Sequence, residues 1–483
     1  MNGKWPEVTS FFFTVVNNAI VVYIFLLTIP YLVIYLLAAR KIYREHLLRP
    51  AYDEQLYEEL APPLSVLLHA QAGAVRTAEV IEHLLDINYH RYEIVVVGDM
   101  GRDDSLNRLK KEYDLKEIRS RIAYSGSGPA SRQVRAVYRS ERHRHVIIVD
   151  QADTGTASAL NAGLAVAQYP YVAAPDLSER AELDRDAFRT LVRPLMETPL
   201  GTEVVAVGGS SGFINTGDLG FTGRKETLPR HPLVVMQVIE YLRRSLLGKV
   251  GTSQYHLLTA VSGAFALFKR SWVIEAGGYQ AEGLDKDLDL ILRIYRLTMD
   301  KGSLAKVVYV PEPVCWREAP ASLSVLRKQR SRGQQGIFAI LWKNKSMLWN
   351  RRYGLTGFVS VPYFIHTEII GPILELCGVL LILLGFTTRL VATEISIALT
   401  VMMLLYGSLL SAGAVLMGEW RFRRYRHGFD LLRLFGLAMT ESIWFRPLMM
   451  VWRCEGLLKA LLSLSPAGER ADTVPVADRK TAE

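Results

Sequence analysis

From Phe11 to Ala39 the chain runs for 29 residues without a charge. As a helix that stretch is about 44 Å long, enough to cross a hydrocarbon core of about 30 Å with tilt. It is read as a transmembrane helix, and the rest of the chain has to be organised around that anchor. A cleaved signal peptide is the competing reading, but the apolar run is too long and no small-residue cleavage site precedes a polar start. Asn17, Asn18 and Pro30 interrupt the run, and amides in lipid seek partners on neighbouring helices. Packing against helices later in the chain is therefore expected. Arg40, Lys41, Arg44 and Arg49 lie directly after the run while only Lys4 precedes it, which places the central part of the chain in the cytosol.

The net charge of +9 then needs no nucleic acid as partner, because basic residues flanking membrane spans meet anionic headgroups. The three cysteines, Cys315, Cys377 and Cys454, lie far apart with no Cys-x-x-Cys and no histidine at ligand spacing, so neither a disulfide framework nor a zinc site is expected.

After the acidic stretch around Asp53 and Glu59 and the pair Pro62-Pro63, short apolar runs alternate with amphipathic segments. That is the pattern of an α/β domain with a largely parallel sheet. Residues 65–70, 93–97, 146–149 and 171–174 read as strands; 74–86, 103–113, 156–167 and 184–196 read as the helices between them. Ligands of such sheets bind at the carboxyl ends of the strands, where Asp99 and Asp176 fall. From Tyr353 the chain turns apolar again. Residues 354–366 read as an amphipathic interfacial segment, and 369–385 and 391–417 as membrane spans. Residues 431–451 carry Arg433, Glu441 and Arg446 and fit a span, a re-entrant hairpin or an interfacial helix. The tail from Ser465 is small, polar and charged, the composition of a disordered segment.

Several motifs stand on this frame. Glu93-Ile-Val-Val-Val-Gly98-Asp99 ends a strand in a carboxylate. Gly155-Thr156-Ala157-Ser158-Ala159-Leu160-Asn161-Ala162-Gly163 opens a helix, and Pro175-Asp176-Leu177-Ser178 comes after a strand. Downstream come Ser262-Gly263-Ala264-Phe265, Gly283-Leu284-Asp285-Lys286-Asp287, and Gln329-Arg330-Ser331-Arg332-Gly333. Together they resemble the membrane-embedded, inverting glycosyltransferases of family 2, a family that includes cellulose, hyaluronan and poly-N-acetylglucosamine synthases.

The resemblance implies a GT-A type nucleotide-diphospho-sugar transferase domain flanked by transmembrane helices. The expected division is 1–48 for the first helix and its basic flank, 60–345 for the cytosolic transferase domain, 350–462 for the interfacial and C-terminal helices, and 465–483 for the tail. It implies Asp287 as the general base, with Asp99, Asp176, Arg330 and Arg332 on the donor nucleotide. Gln329, Ser262 and Gly263 fall on the acceptor side, and Asp176 holds a divalent cation, Mg2+ or Mn2+. Lys286, beside Asp287, is expected to lower the pKa of that carboxyl and weaken it as a base if the two side chains meet. A UDP-sugar donor, a glycan or lipid acceptor and membrane lipids are the implied partners, with the protein in the cell membrane as a multi-pass enzyme.

The sequence departs from the family pattern in Gly98, Thr156, Ser178, Lys286 and Gly333, and in Leu68-His69-Ala70-Gln71 at the first strand. Two readings are open. One is a transferase that makes an exopolysaccharide or glycolipid; the other is a pseudo-glycosyltransferase that keeps the fold as a membrane scaffold or regulatory partner.

Overall fold

The computed structural model describes residues 32–44, 59–70, 73–99, 105–118, 134–152, 155–177, 181–198, 202–214, 228–253, 265–280, 286–303, 305–388, 393–422 and 428–463. Most of the first predicted span, Ser178, Ser262, Gly263, Asp285 and the tail from Ser465 lie outside them.

Ten strands form one sheet: β1 (Leu64–His69), β2 (Tyr92–Gly98), β3 (Leu115–Glu117), β4 (Val134–Ser140), β5 (Val146–Gln151), β6 (Tyr171–Ala173), β7 (Ala181–Leu183), β8 (Glu203–Ile214), β9 (Ala266–Lys269) and β10 (Ala305–Glu318), in the order β3-β4-β5-β2-β1-β6-β9-β8-β10-β7. β1, β2, β5 and β6 are parallel, as their apolar runs predict, and β2 is buried from end to end. β9 is antiparallel to both β6 and β8, which returns β8 and its parallel neighbour β10 to the common direction. β4 and β7 also run the other way, so the sheet is mixed. The carboxyl ends of β1, β2, β5, β6, β8 and β10 consequently share one edge, and β9 starts there.

The sheet separates two cores. One holds Leu67, Val95, Val97 and Val149 against the Thr156–Val166 and Lys286–Lys301 helices. The other holds Val66, Ile94, Val96 and Ile148 against the Gly73–Leu85 and Ala187–Glu197 helices. This alternation of even and odd strand residues between faces is why the strands read as continuous apolar runs. Gly163 lets its helix sit directly on the sheet, since a Cβ there would lie 3.2 Å from Val97 and 3.3 Å from Leu67.

The described residues of the C-terminal part are largely helical. The chain turns helical at Thr356 and continues through π and α segments to Thr388, so the predicted interfacial segment and the span after it form one continuous helical run. Thr356–Leu380 and Thr400–Phe422 are, among the described residues, the two helices long and apolar enough to cross a membrane. The segment with mixed charge becomes the Gly428–Thr440 helix, a π turn and the Arg446–Ser463 helix. Its charges are partnered: Glu441 takes a hydrogen bond of 3.1 Å from Arg243, and Arg446 meets Glu375 through two contacts of 3.1 Å.

The Arg446–Ser463 helix packs on the Leu323–Lys343 helix, which carries Gln329 to Gly333. Gly456 lies at that contact: a Cβ there would stand 2.5 Å from the Ser331 carbonyl oxygen and 2.9 Å from Gln334 Cβ. Gly456→Val is expected to destabilise the protein by about 1–3 kcal/mol through overpacking. A purified variant unfolding at the wild-type temperature would contradict this packing.

Candidate active site

Two carboxylates implied by the sequence lie at the carboxyl edge, within electrostatic reach of each other. Asp176 comes just after β6 and is exposed. Asp287 lies in the first turn of the Lys286–Lys301 helix and is only 5 % exposed, in a run with the equally buried Lys286 and Asp289. The backbone N–H of Ala266, at the start of β9, donates to the Asp287 carboxylate, while Asp287 Oδ1 is buried with no hydrogen-bond partner.

Burial pushes the Asp287 carboxyl up from 3.8 to about 6, against the pull of Lys286, the Ala266 N–H and Arg317; Asp176 adds to the rise. The sequence expectation that Lys286 would leave this group more acidic is thus corrected. The lysine does act in that direction, but loss of hydration outweighs it. Beside Asp287 stands Tyr279, whose buried hydroxyl lacks a partner and whose pKa burial raises far above its ordinary value. Asp289 is committed elsewhere, to Arg293 at 2.9 Å and Lys343 at 3.5 Å.

Asn161, the asparagine of the Ala-Leu-Asn motif, is a clamp. Its Oδ1 accepts the Tyr279 N–H at 2.7 Å and its Nδ2 donates to the Tyr279 carbonyl at 2.8 Å. Gly278, at φ +71°, packs against the same amide. The motif therefore fixes the backbone on the Asp287 side to the helix that begins at Thr156. At that helix start, Thr156 Oγ1 lies 3.3 Å from His69 Nδ1 at the end of β1.

Asp99 occupies the end of β2 and pairs with Arg135 of β4, which also reaches Asp150 of β5 at 2.9 Å. This Asp-Arg-Asp group lines the β2/β5 end of the edge. Arg135 and Asp150 are not among the residues the sequence motifs pick out, although the alternation of Val134, Ala136 and Tyr138 with Arg135 and Arg139 marks a strand whose arginines share one face.

Arg330 is held in an ion pair of 2.5 Å by Glu240 of the Pro232–Leu242 helix. Burial pushes Glu240 up, but Arg330, Arg244, Arg243 and Arg453 outweigh it and hold the carboxyl below its ordinary value. Gln329 and Arg332 are exposed on the same helix as Arg330.

Among the described residues no group of three or more His, Cys, Asp or Glu side chains could hold a metal ion. Asp176 is a single exposed carboxylate. The carboxylate that senses its charge is Asp287, which leans towards its neutral form and faces Lys286 and Arg317. Among the described residues the donors at this edge are thus fewer than the converging anionic oxygens that a preformed divalent-cation centre needs.

The mixed sheet with helices on both faces is an α/β domain whose candidate site lies at the carboxyl edge. The family model described as "Glycosyltransferase like family 2" matches residues 62–336, more than half of the chain, and the chain belongs to this family with a GT-A fold. The chain is 29 % identical over 254 residues to a poly-beta-1,6-N-acetyl-D-glucosamine synthase of Staphylococcus aureus, covering 51 % of this chain and 53 % of the relative. A protein of the same name from Staphylococcus epidermidis is 22 % identical over 283 residues, with 58 % and 56 % covered. The chain thus spans about half the length of the curated relatives it matches. Among solved structures, a mannosyltransferase of Pyrobaculum calidifontis, determined with GDP-Man and Mn2+, overlays with a TM-score of 0.49 at 14 % identity, covering 95 % of this chain and 100 % of that one.

Proposed function

We propose that this chain is a membrane glycosyltransferase that moves a sugar, with inversion, from a nucleotide donor to a hydroxyl of a growing exopolysaccharide or glycolipid. The observation that carries this reading is Asp287: a buried carboxylate at the carboxyl edge of the sheet, with one oxygen unpartnered and its pKa moved to about 6. A general base is most effective when its pKa lies near the working pH.

In the reaction the acceptor oxygen attacks C1 of the donor sugar and the bond from C1 to the diphosphate breaks. Asp287 takes the acceptor proton and the nucleoside diphosphate departs. Asp99, backed by Arg135, is placed to meet the nucleoside, and Arg332 faces solvent beside Arg330 for the departing phosphates. A divalent cation arriving with the donor would find Asp176 as its protein carboxylate, and no step here is assigned to it. The two long apolar helices and the basic flank after Ala39 support a multi-pass membrane location with the transferase domain cytosolic.

The synthases among the relatives favour a UDP-linked N-acetylhexosamine as donor and a glycan as acceptor. The test is to supply the full chain in lipid with UDP- and GDP-sugars and measure nucleoside diphosphate release, with UDP-N-acetylglucosamine expected to turn over. No release from any donor of the panel would overturn the assignment and leave a scaffold.

A further inference from the structure

Arg135 lies outside the motifs that suggest a transferase, yet it is the most exposed charge of the group at the β2/β5 end of the carboxyl edge. Strand register puts it there. Gly98 of β2 pairs with Asp150 of β5, so Asp99 follows on beside Asp150, and β4 starts at this edge because it runs antiparallel to β5. Val134 pairs with Gln151 and Ala136 with Asp150, which leaves Arg135 as the extra residue of a bulge. Bulges re-aim a side chain. This one sends the guanidinium to the two strand ends, where Nη2 meets Asp99 and, at 2.9 Å, Asp150.

On the transferase reading above, we propose that Arg135 reads the base of the nucleotide donor, giving its N–H groups to a base carbonyl while the neighbouring Asp99 accepts from the ring N–H beside that carbonyl.

The two carboxylates brace the guanidinium without using it up. Both contacts run through Nη2, and a guanidinium carries five N–H donors, so those on Nε and Nη1 lie outside these pairs. Exposure rises outward through the group: the Asp150 side chain is 9 % exposed, Asp99 16 % and Arg135 46 %. A ligand arriving at this end meets a guanidinium whose position is already set, which lowers the entropy lost in binding to it.

Charge decides which part of the donor belongs here. Two carboxylates around one guanidinium leave the group net negative, which repels a diphosphate and suits an uncharged partner that carries both donors and acceptors. A keto base is such a partner. In uracil and guanine a carbonyl stands next to a ring N–H, matching the guanidinium and Asp99 side by side. Cytosine and adenine carry an amino group and a bare ring nitrogen at the same positions, so the same placement sets donor against donor and acceptor against acceptor.

The experiment uses the full chain in lipid nanodiscs with Mn2+ and measures affinities for UDP, CDP, GDP, ADP and inorganic pyrophosphate. Wild type is expected to prefer UDP to CDP and GDP to ADP by about tenfold or more, the discrimination usual for a charged contact to a base edge. Arg135→Ala should bring both ratios to within about threefold, because the contact that tells the bases apart is lost, and leave pyrophosphate affinity where it was. Arg135→Lys keeps the charge between the carboxylates but not the planar fork. It should also lose most of the preference, so the inference stays testable if the alanine variant does not fold.

Base preference unchanged in both variants, a wild type that does not distinguish UDP from CDP, or a loss of pyrophosphate affinity as large as the loss of UDP affinity overturns the inference and leaves the transferase reading standing. Absence of nucleotide binding under every condition overturns both. An arginine that only held the strand ends together would weaken all the ligands by one factor and leave their ratios as they are.

Discussion

Asp287→Asn is expected to reduce sugar transfer by roughly 10²- to 10⁴-fold, the usual contribution of a positioned general base, and at the same time to stabilise the folded protein above pH 6. Both effects come from one cause. Burial holds the carboxyl at about 6 in the fold against 3.8 outside it, so the native state binds this proton more tightly than the unfolded chain. Relative to an always ionised group, the resulting stability is fully present below pH 3.8 and is lost as pH rises through about 6. The difference corresponds to about 3 kcal/mol, since one pKa unit is worth about 1.4 kcal/mol. Asparagine keeps the shape without the buried charge. The stability gap between variant and wild type should therefore widen from pH 4 to pH 8, read as unfolding midpoints across that range. The wild-type rate should fall on the acid side with a half-point near 6, set by Asp287 together with the charges that face it, Lys286, Arg317 and Asp176. Donor binding should survive the substitution. Turnover retained by Asp287→Asn would remove the residue from its assigned role, and a stability gap that does not vary with pH would show that its burial carries no electrostatic cost.

The parts of this molecule that were legible in the sequence are those written in short-range pattern. β1, β2, β5 and β6 are buried on both faces, so each is an uninterrupted apolar run, and the helices between them show their polar side. The two longest strands were not read. β8 contains Gly208-Gly209-Ser210-Ser211-Gly212, which looks like a loop, but Gly209 is required there because the Val314 side chain occupies the space of its missing Cβ. β10 carries Pro311 and Pro313, which mark two of its three register shifts against β8. The site shows the same division. Asp99, Asp176 and Asp287 stand out in the sequence because each sits at a fixed place in a local motif. Their electrostatic partners do not: Arg135 reaches Asp99 from another strand, and Glu240 takes Arg330 across 90 positions of sequence. The sign of the Asp287 shift failed for a related reason, because the adjacent lysine is visible in the sequence and the depth of burial is not.

Glu368→Ala is expected to cost about 3–5 kcal/mol, the usual penalty for removing one partner of a buried ion pair and leaving the other charge uncompensated. Glu368 is 8 % exposed and lies within the Thr356–Leu380 helix, where an ionised side chain is tolerated only against protein partners. Its Oε1 accepts from Arg244 at 2.6 Å and its Oε2 from Arg453 at 2.5 Å. Arg453 also donates to Gln334 Oε1 at 3.0 Å, and Gln334 Nε2 donates to the Glu368 carbonyl at 2.6 Å. Arg244 reaches Glu240 at 3.8 Å, and Glu240 holds Arg330. The alternating series Arg453, Glu368, Arg244, Glu240, Arg330 thus ties the C-terminal helix and an apolar helix of membrane-spanning length to the helix that bears the Gln-Arg-x-Arg motif. Removing Glu368 leaves the buried Arg453 without its carboxylate and cuts the link from Arg453 through Arg244 and Glu240 to Arg330. The variant should lose activity as well as thermal stability, and Glu368→Gln, which keeps one acceptor oxygen, should lose less of each. The Arg327–Glu455 pair joins the same two helices at 2.7 Å, but the arginine is 57 % exposed, so water screens it and Arg327→Ala should barely move the unfolding midpoint. Equal losses from Glu368→Ala and Arg327→Ala would mean that the buried series does no more to hold the motif helix than a contact on its surface.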